Sequence, residues 1–164
     1  IDHIFSTHDV KRAHGGTICL HRDDLFLYEG IGMQASFLDW RGATPIAPVD
    51  RFIVDQDEVA FGKQNALVIH TPGHTPGSVC FSLRDDAGRT THLFSGDTLF
   101  HRGIGRTDLW GGDAKQILAS IRERLYSLPP DTIVVTGHGL GTTIGDEARQ
   151  NPFVRALTPP SSQP

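Results

Sequence analysis

Thr71-Pro72-Gly73-His74-Thr75-Pro76-Gly77-Ser78 follows the apolar run Ala66-Leu67-Val68-Ile69. Proline fixes φ and glycine accepts backbone angles that other residues avoid. Two Pro-Gly pairs around one histidine therefore describe a rigid loop at a strand end that holds a single imidazole in place. Taken alone, the octapeptide reads equally well as an ordinary turn with a solvated histidine. Two other segments favour the first reading. Ser95-Gly96-Asp97-Thr98-Leu99 and Thr136-Gly137-His138-Gly139 each place a polar side chain in a glycine-containing turn after an apolar β-type run. Three strand ends thus each offer a metal-ligand type. Imidazole and carboxylate suit zinc or iron, and sites built from several strand ends are typical of α/β sheets.

Outward from these loops the chain alternates short strands with short helices. Ile1 to Ser6 alternates apolar and polar residues as a strand would, and Thr7 to Gly16 reads as a polar turn into a helix-like piece. Thr17 to Leu20 is a strand; Leu25 to Tyr28 is a short helix stopped by Gly30, and Gly30 to Pro48 carries a helix and a substrate-facing loop. Arg51 to Val54 and Glu58 to Phe61 are strands, and Ser78 to Leu83 with Thr90 to Phe94 form a hairpin around Asp85-Asp86-Ala87-Gly88. Phe100 to Gly112 is a glycine-rich, charged loop over the strand ends. Asp113 to Leu128 is the strongest helix, with Asp113 as N-cap and Ile117, Leu118, Ile121 and Leu125 on one face, before Pro129-Pro130. Thr132 to Val135 is a strand and Ile144 to Gln150 a final helix. These elements make one domain over residues 1–157, with a flexible Pro/Ser-rich tail over 158–164.

With 164 residues, 38% hydrophobic content and a formal net charge of −4, the chain is large enough to bury a core, and its charge argues against a nucleic-acid partner. No apolar run reaches the ~18 residues of a membrane helix, so the expectation is a cytoplasmic protein, without a membrane partner, that acts on a small molecule. Cys19 and Cys80 lie in strand-like runs and read as buried free thiols. The chain opens on Ile1-Asp2-His3-Ile4-Phe5 without an initiator methionine, an abrupt start that points to further sequence upstream.

The segments Thr71 to Ser78, Ser95-Gly96-Asp97-Thr98-Leu99-Phe100, Gly105 to Asp113, and Gly137-His138-Gly139 with Thr142-Thr143-Ile144-Gly145 stand in an order that resembles the metallo-β-lactamase superfamily, in its single-domain glyoxalase II-like (hydroxyacylglutathione hydrolase-like) branch. The resemblance implies an α/β fold, the αββα metallo-β-lactamase sandwich, here lacking its N-terminal strands. An edge left open by their loss would be completed by upstream sequence or by a second copy in a homo-oligomer. The family's main ligand motif is His-x-His-x-Asp-His followed by x-Gly-Gly. Its gapless alignment sets Thr7-His8 and Gly15-Gly16 at the two ends, which keeps His8 but puts Val10, Arg12 and Ala13 at the other three ligand positions.

By that resemblance the metal ligands are His8, His74, Asp97 and His138. Asp97 also orients the attacking water, and His138 acts as a ligand or handles a proton. The cofactor is zinc, one ion rather than two, with Fe(II) as the alternative. The implied reaction is hydrolysis of a thioester or related acyl compound. Two other readings stand beside it. One is an iron-dependent persulfide dioxygenase built on His8, His74 and Asp97. The other is a metal-poor, non-catalytic descendant in which the Arg12 guanidinium pairs with Asp97. Arg106 and His101, in the loop after Asp97, are the substrate-binding candidates, and an Arg106–Asp108 ion pair would order that loop.

Overall fold

Asp9 in its first turn and Lys11, Arg12 and His14 in its last give the segment Thr7–His14 the charge order that offsets a helix macrodipole, and it forms helix α1. The computed structural model describes residues 1–41 and 46–155. They fall into two compact units, Ile1–Val54 and the residues from Asp55 onward. Part of the expected substrate-facing loop and the whole 158–164 tail lie outside the described residues.

In the first unit, Ile1 to Ser6 is not the expected strand. Ile4 N and Phe5 N both donate to Ile1 O at 3.0 Å, and Thr7 N donates to Ile4 O at 3.1 Å, so these residues turn into α1. Gly15, at φ 69°, ends α1 in a left-handed conformation. Strand β1 (Cys19–His21) leads into α2 (Leu25–Glu29) and α3 (Ile31–Phe37), and β2 (Arg51–Ile53) returns parallel to β1. Asp50 pins the start of both strands by accepting from Lys11 Nζ (2.6 Å) and Ile18 N (2.8 Å), and these bonds hold its carboxyl below the usual range. Tyr28, Ile31, Ala35, Ala47 and Ile53 are buried, and the Tyr28 hydroxyl donates to Ala47 O at 2.7 Å.

The second unit is built on a six-stranded sheet. Its strands are β3 (Glu58–Phe61), β4 (Gln64–His70), β5 (Val79–Arg84), β6 (Thr90–Gly96), β9 (Ile133–Thr136) and β10 (Thr142–Thr143), in the order β10-β9-β6-β5-β4-β3. Every pair is antiparallel except β6 with β9. A parallel pair needs a crossover. It runs through the small hairpin β7 (Leu99–Phe100) and β8 (Gly103–Ile104) and then α4 (Ala114–Ala119), which continues with wider π-helical turns over Ser120–Leu125. The predicted cap is present: Asp113 Oδ1 accepts from Lys115 N (2.8 Å) and Gln116 N (3.0 Å). Ile117, Ile121 and Leu125 are fully buried against Ile69, Cys80, Leu93 and Val134 of the sheet and Ile144 of α5 (Ile144–Gln150). Cys80 is a buried free thiol whose pKa burial pushes up to about 11, whereas Cys19 is only half-buried. Asp55 joins the start of this unit to α4 by accepting both carboxylate bonds from Arg124 (2.7 and 2.8 Å) and one from His70 N (2.8 Å). Among the described residues no helix is long and apolar enough to cross a membrane.

Candidate metal centre

β4 and β6 are each antiparallel to β5, and β6 is parallel to β9, so β4, β6 and β9 all run the same way. Their C-terminal loops therefore emerge along one edge of the sheet, carrying His74, Asp97 and His138 in turn.

The His74 loop is tied across its neck and along its length. Thr71 N donates to Ser78 O (2.8 Å), Gly73 N to Thr75 O (3.0 Å) and Thr75 N to Ser78 Oγ (3.0 Å). His70 Nε2 donates to Pro76 O at 2.9 Å, which gives that histidine a supporting role. At φ 141°, Gly73 would put any Cβ 2.3 Å from Ile117 N, so only glycine lets the loop lie on the start of α4. The helix answers with two bonds, Asp113 N to Gly73 O and Ser120 Oγ to Pro72 O, both 2.8 Å. Next to Asp97, Ser95, Thr98 and Leu99 are essentially solvent-free. Ser95 Oγ donates to Leu99 O (2.7 Å), and the hydroxyls of Thr98 and Thr71 bond at 3.0 Å, locking the second loop to the first.

His74 Nδ1 lies 2.8 Å from Arg106 O. A carbonyl only accepts, so Nδ1 carries a proton, and Nε2 is the ring atom left to face a metal. That nitrogen is 3.7 Å from Asp97 Oδ2, and His138 Nε2 is 3.5 Å from the same oxygen. Two ligand atoms each ~2.1 Å from a tetrahedral zinc ion stand ~3.4 Å apart. Both imidazole–carboxylate pairs have close to that spacing, and their donor chemistry is that of zinc or non-haem iron, so the residues fit a divalent cation. The Asp97 carboxylate is largely covered (16% exposed), whereas His138 is 56% exposed, with its ring edge-on to Phe100 at 6.1 Å between centroids. His138 therefore borders the open side.

Of the remaining expected residues, Arg106 and His101 belong to the loop after Asp97, and His8 and Arg12 to the first unit. Arg106 forms a bidentate pair with Asp108 (Nε to Oδ1 2.7 Å, Nη2 to Oδ2 2.8 Å), the loop-ordering arrangement. The Arg106 guanidinium holds the Asp108 carboxyl down at about 2. Arg106 meets His74 through its backbone carbonyl. His101 sits in the β7–β8 turn with Nδ1 3.8 Å from Glu147 Oε1. In the first unit, His8 lies in the first turn of α1 with Nδ1 3.4 Å from Asp9 Oδ1, and Arg12 is 77% exposed, 3.8 Å from Asp9. On a helix, positions 8 and 10 point ~200° apart, so the stretch aligned with the ligand motif does not converge on one point.

Two features went unread in the sequence. Asp2 and His3 occupy the turn before α1 with His3 Nε2 3.8 Å from Asp2 Oδ2; the signal was an Asp-His dipeptide, the pair on which the ligand motif ends. Glu147 is fully buried beneath the β7–β8 hairpin, and no local pattern announces its partners.

Comparison with known proteins identifies the family. An uncharacterised protein of Mycobacterium leprae is 39% identical over 96% of this chain and 73% of its own length. A hydroxyacylglutathione hydrolase of Haemophilus influenzae is 35% identical over 95% of this chain and 72% of its own. A crystal structure of a protein in a di-iron-bound form superposes with a TM-score of 0.80 at 42% identity, covering 93% of this chain and 72% of that one. The sequence profile that matches, over residues 1–138, is that of the Metallo-beta-lactamase superfamily. An α/β sheet whose three co-directional strands deliver two imidazoles to one carboxylate thus goes with a family-wide sequence match, and the chain belongs to the metallo-beta-lactamase superfamily.

Proposed function

We propose that the chain is a metal-dependent hydrolase of a thioester or related acyl compound, in which His74, Asp97 and His138 hold the metal. The observation that carries this reading is the approach of both Nε2 atoms to Asp97 Oδ2, at 3.7 and 3.5 Å. It is supported by the similarity to the Haemophilus influenzae hydroxyacylglutathione hydrolase. A zinc ion held there would supply the Lewis acidity that lowers the pKa of a water to about 7 and polarises a carbonyl. The Arg106 carbonyl keeps the His74 lone pair aimed at the centre. Asp97, covered and anchored between buried neighbours, accepts a proton from the attacking water and fixes its direction. His138, on the open side, would complete the ligand set.

For the N-terminal ligand motif, the helical form of residues 7–14 favours a register in which its closing Asp-His falls on Asp2-His3. Elemental analysis of protein purified without added metal, followed by thioester hydrolysis before and after chelation, tests the proposal. Stoichiometric zinc with chelator-sensitive thioesterase activity is expected. Protein that takes up no divalent metal at micromolar concentration leaves only a non-catalytic binding role.

A second reading concerns the metal. Two imidazoles and one carboxylate are also the donor set of non-haem Fe(II) oxygenases, and a similar chain binds two irons. Iron in the purified protein together with oxygen uptake on a persulfide would establish the dioxygenase in place of the hydrolase.

A further inference from the structure

One segment meets all three candidate ligands. The stretch from Asp97 to Arg106 contains Asp97, sets Phe100 edge-on to His138, and accepts the His74 Nδ1 proton at the Arg106 carbonyl. Its middle is the β7–β8 hairpin, which α5 grips from below.

Glu147, on α5 and with no exposed surface, accepts Arg102 N at 2.9 Å and the Arg102 guanidinium at 2.8 Å. Thr142 Oγ1 (2.7 Å) and Asn151 Nδ2 (2.9 Å) complete its shell. Asn151, also fully buried, donates in addition to Gly103 O at 3.0 Å, so α5 and its C-cap hold both the turn and the returning strand. Arg102 stands at φ 56°, a left-handed conformation uncommon in residues other than glycine, and its amide bond to Glu147 fixes the turn in that form. A buried ion pair is a poor source of stability compared with apolar packing. Its fixed bond directions are what an apolar side chain lacks, and here they end on the hairpin at the middle of that segment.

We propose that Glu147 is a positioning residue for the metal centre. Acting through Arg102 and the β7–β8 hairpin, it fixes the Arg106 carbonyl that orients His74 and the Phe100 ring that borders His138. This rests on the reading of His74, Asp97 and His138 as ligands.

The test uses Glu147→Gln in the full chain. If that variant does not fold, the Glu147→Gln/Arg102→Gln pair, which leaves no buried charge alone, takes its place. In the metal-free protein, ring 15N–1H correlations of His74 should show one Nδ1–H tautomer in the parent chain and a mixture of both tautomers in the variant. Zinc affinity should fall ten- to a hundredfold, the usual effect of losing a group that orients a ligand. A folded variant with a lowered melting temperature but an unchanged His74 tautomer and unchanged zinc affinity would show Glu147 to be structural only, overturning the proposal. A parent chain that takes up no zinc refutes the ligand reading instead, and the tautomer comparison then decides the orienting role of Glu147 on its own.

Discussion

Gly137→Ala presses directly on the carboxylate at the centre of the site. A Cβ built on residue 137 lies 2.3 Å from Asp97 Oδ1 and 2.9 Å from the carbonyl carbon and oxygen of Gly96. Since Cβ contacts below 3.0 Å are essentially never seen, the carboxylate must retreat by at least the difference between 3.0 and 2.3 Å. The backbone of Gly96 leaves the β9 loop little room to move instead, because Gly137 N is already bonded to Gly96 O at 2.9 Å. Sites of this kind tolerate ~0.5 Å of displacement, and a misplacement near 1 Å costs on the order of a hundredfold. The expected result is a zinc affinity ten- to a hundredfold weaker by competition titration with a chromophoric chelator. The overpacking itself should cost about 1–3 kcal/mol in a denaturant melt. Zinc bound with parent affinity by a folded Gly137→Ala chain would refute the placement of Asp97 Oδ2 between the two imidazoles.

Three further perturbations separate the parts of the structure. Because the folded Asp108 carboxyl is depressed to about 2, its pairing with Arg106 stabilises the fold above the ordinary aspartate pKa and loses that contribution as pH falls through about 2. The difference in melting temperature between the parent and Asp108→Asn should therefore be fully present at pH 5, shrink below pH 4 and close near pH 2. Metal content measured by elemental analysis on His74→Ala and His138→Ala should fall well below the parent value; stoichiometric metal in both variants would refute the proposed ligand set. Asp113→Ala removes the α4 cap and should cost about 1 kcal/mol, or about 2–4 °C of melting temperature, measured by calorimetry.

Much of the second unit can be read from local chemistry. Pro-Gly pairs announce the His74 loop, β-branched runs announce the strands that carry Asp97 and His138, and an aspartate ahead of an amphipathic run announces the α4 cap. The rest depends on interactions that sequence spacing does not contain. Glu147 and Arg102 lie far apart in the chain, and an arginine at φ 56° carries no turn signature, so the hairpin inside the glycine-rich loop stayed hidden. At the N-terminus, Gly15-Gly16 ends a helix by adopting positive φ, but the same pair also closes the ligand motif. Two physical reasons for one dipeptide drew the gapless alignment onto Thr7–Gly16 and left Asp2-His3 unread. Ile1 to Ser6 failed for a simpler reason: a stretch that short carries too few periods to separate strand from turn.

The parallel join of β6 to β9 also governs the order in which the centre comes into being. His74 and Asp97 lie on a meander of neighbouring antiparallel strands, β4 to β6, whose hairpins close over short distances. His138 arrives only after the β7–β8 hairpin and α4 have crossed over to bring Ile133 beside His92. Long-range parallel pairing of this kind is slow, because loop-closure entropy is lost before the contacts are gained. During refolding, two of the three candidate ligands thus come together early and the third waits for the crossover, so on the proposed ligand set tight metal uptake would mark the docking of β9.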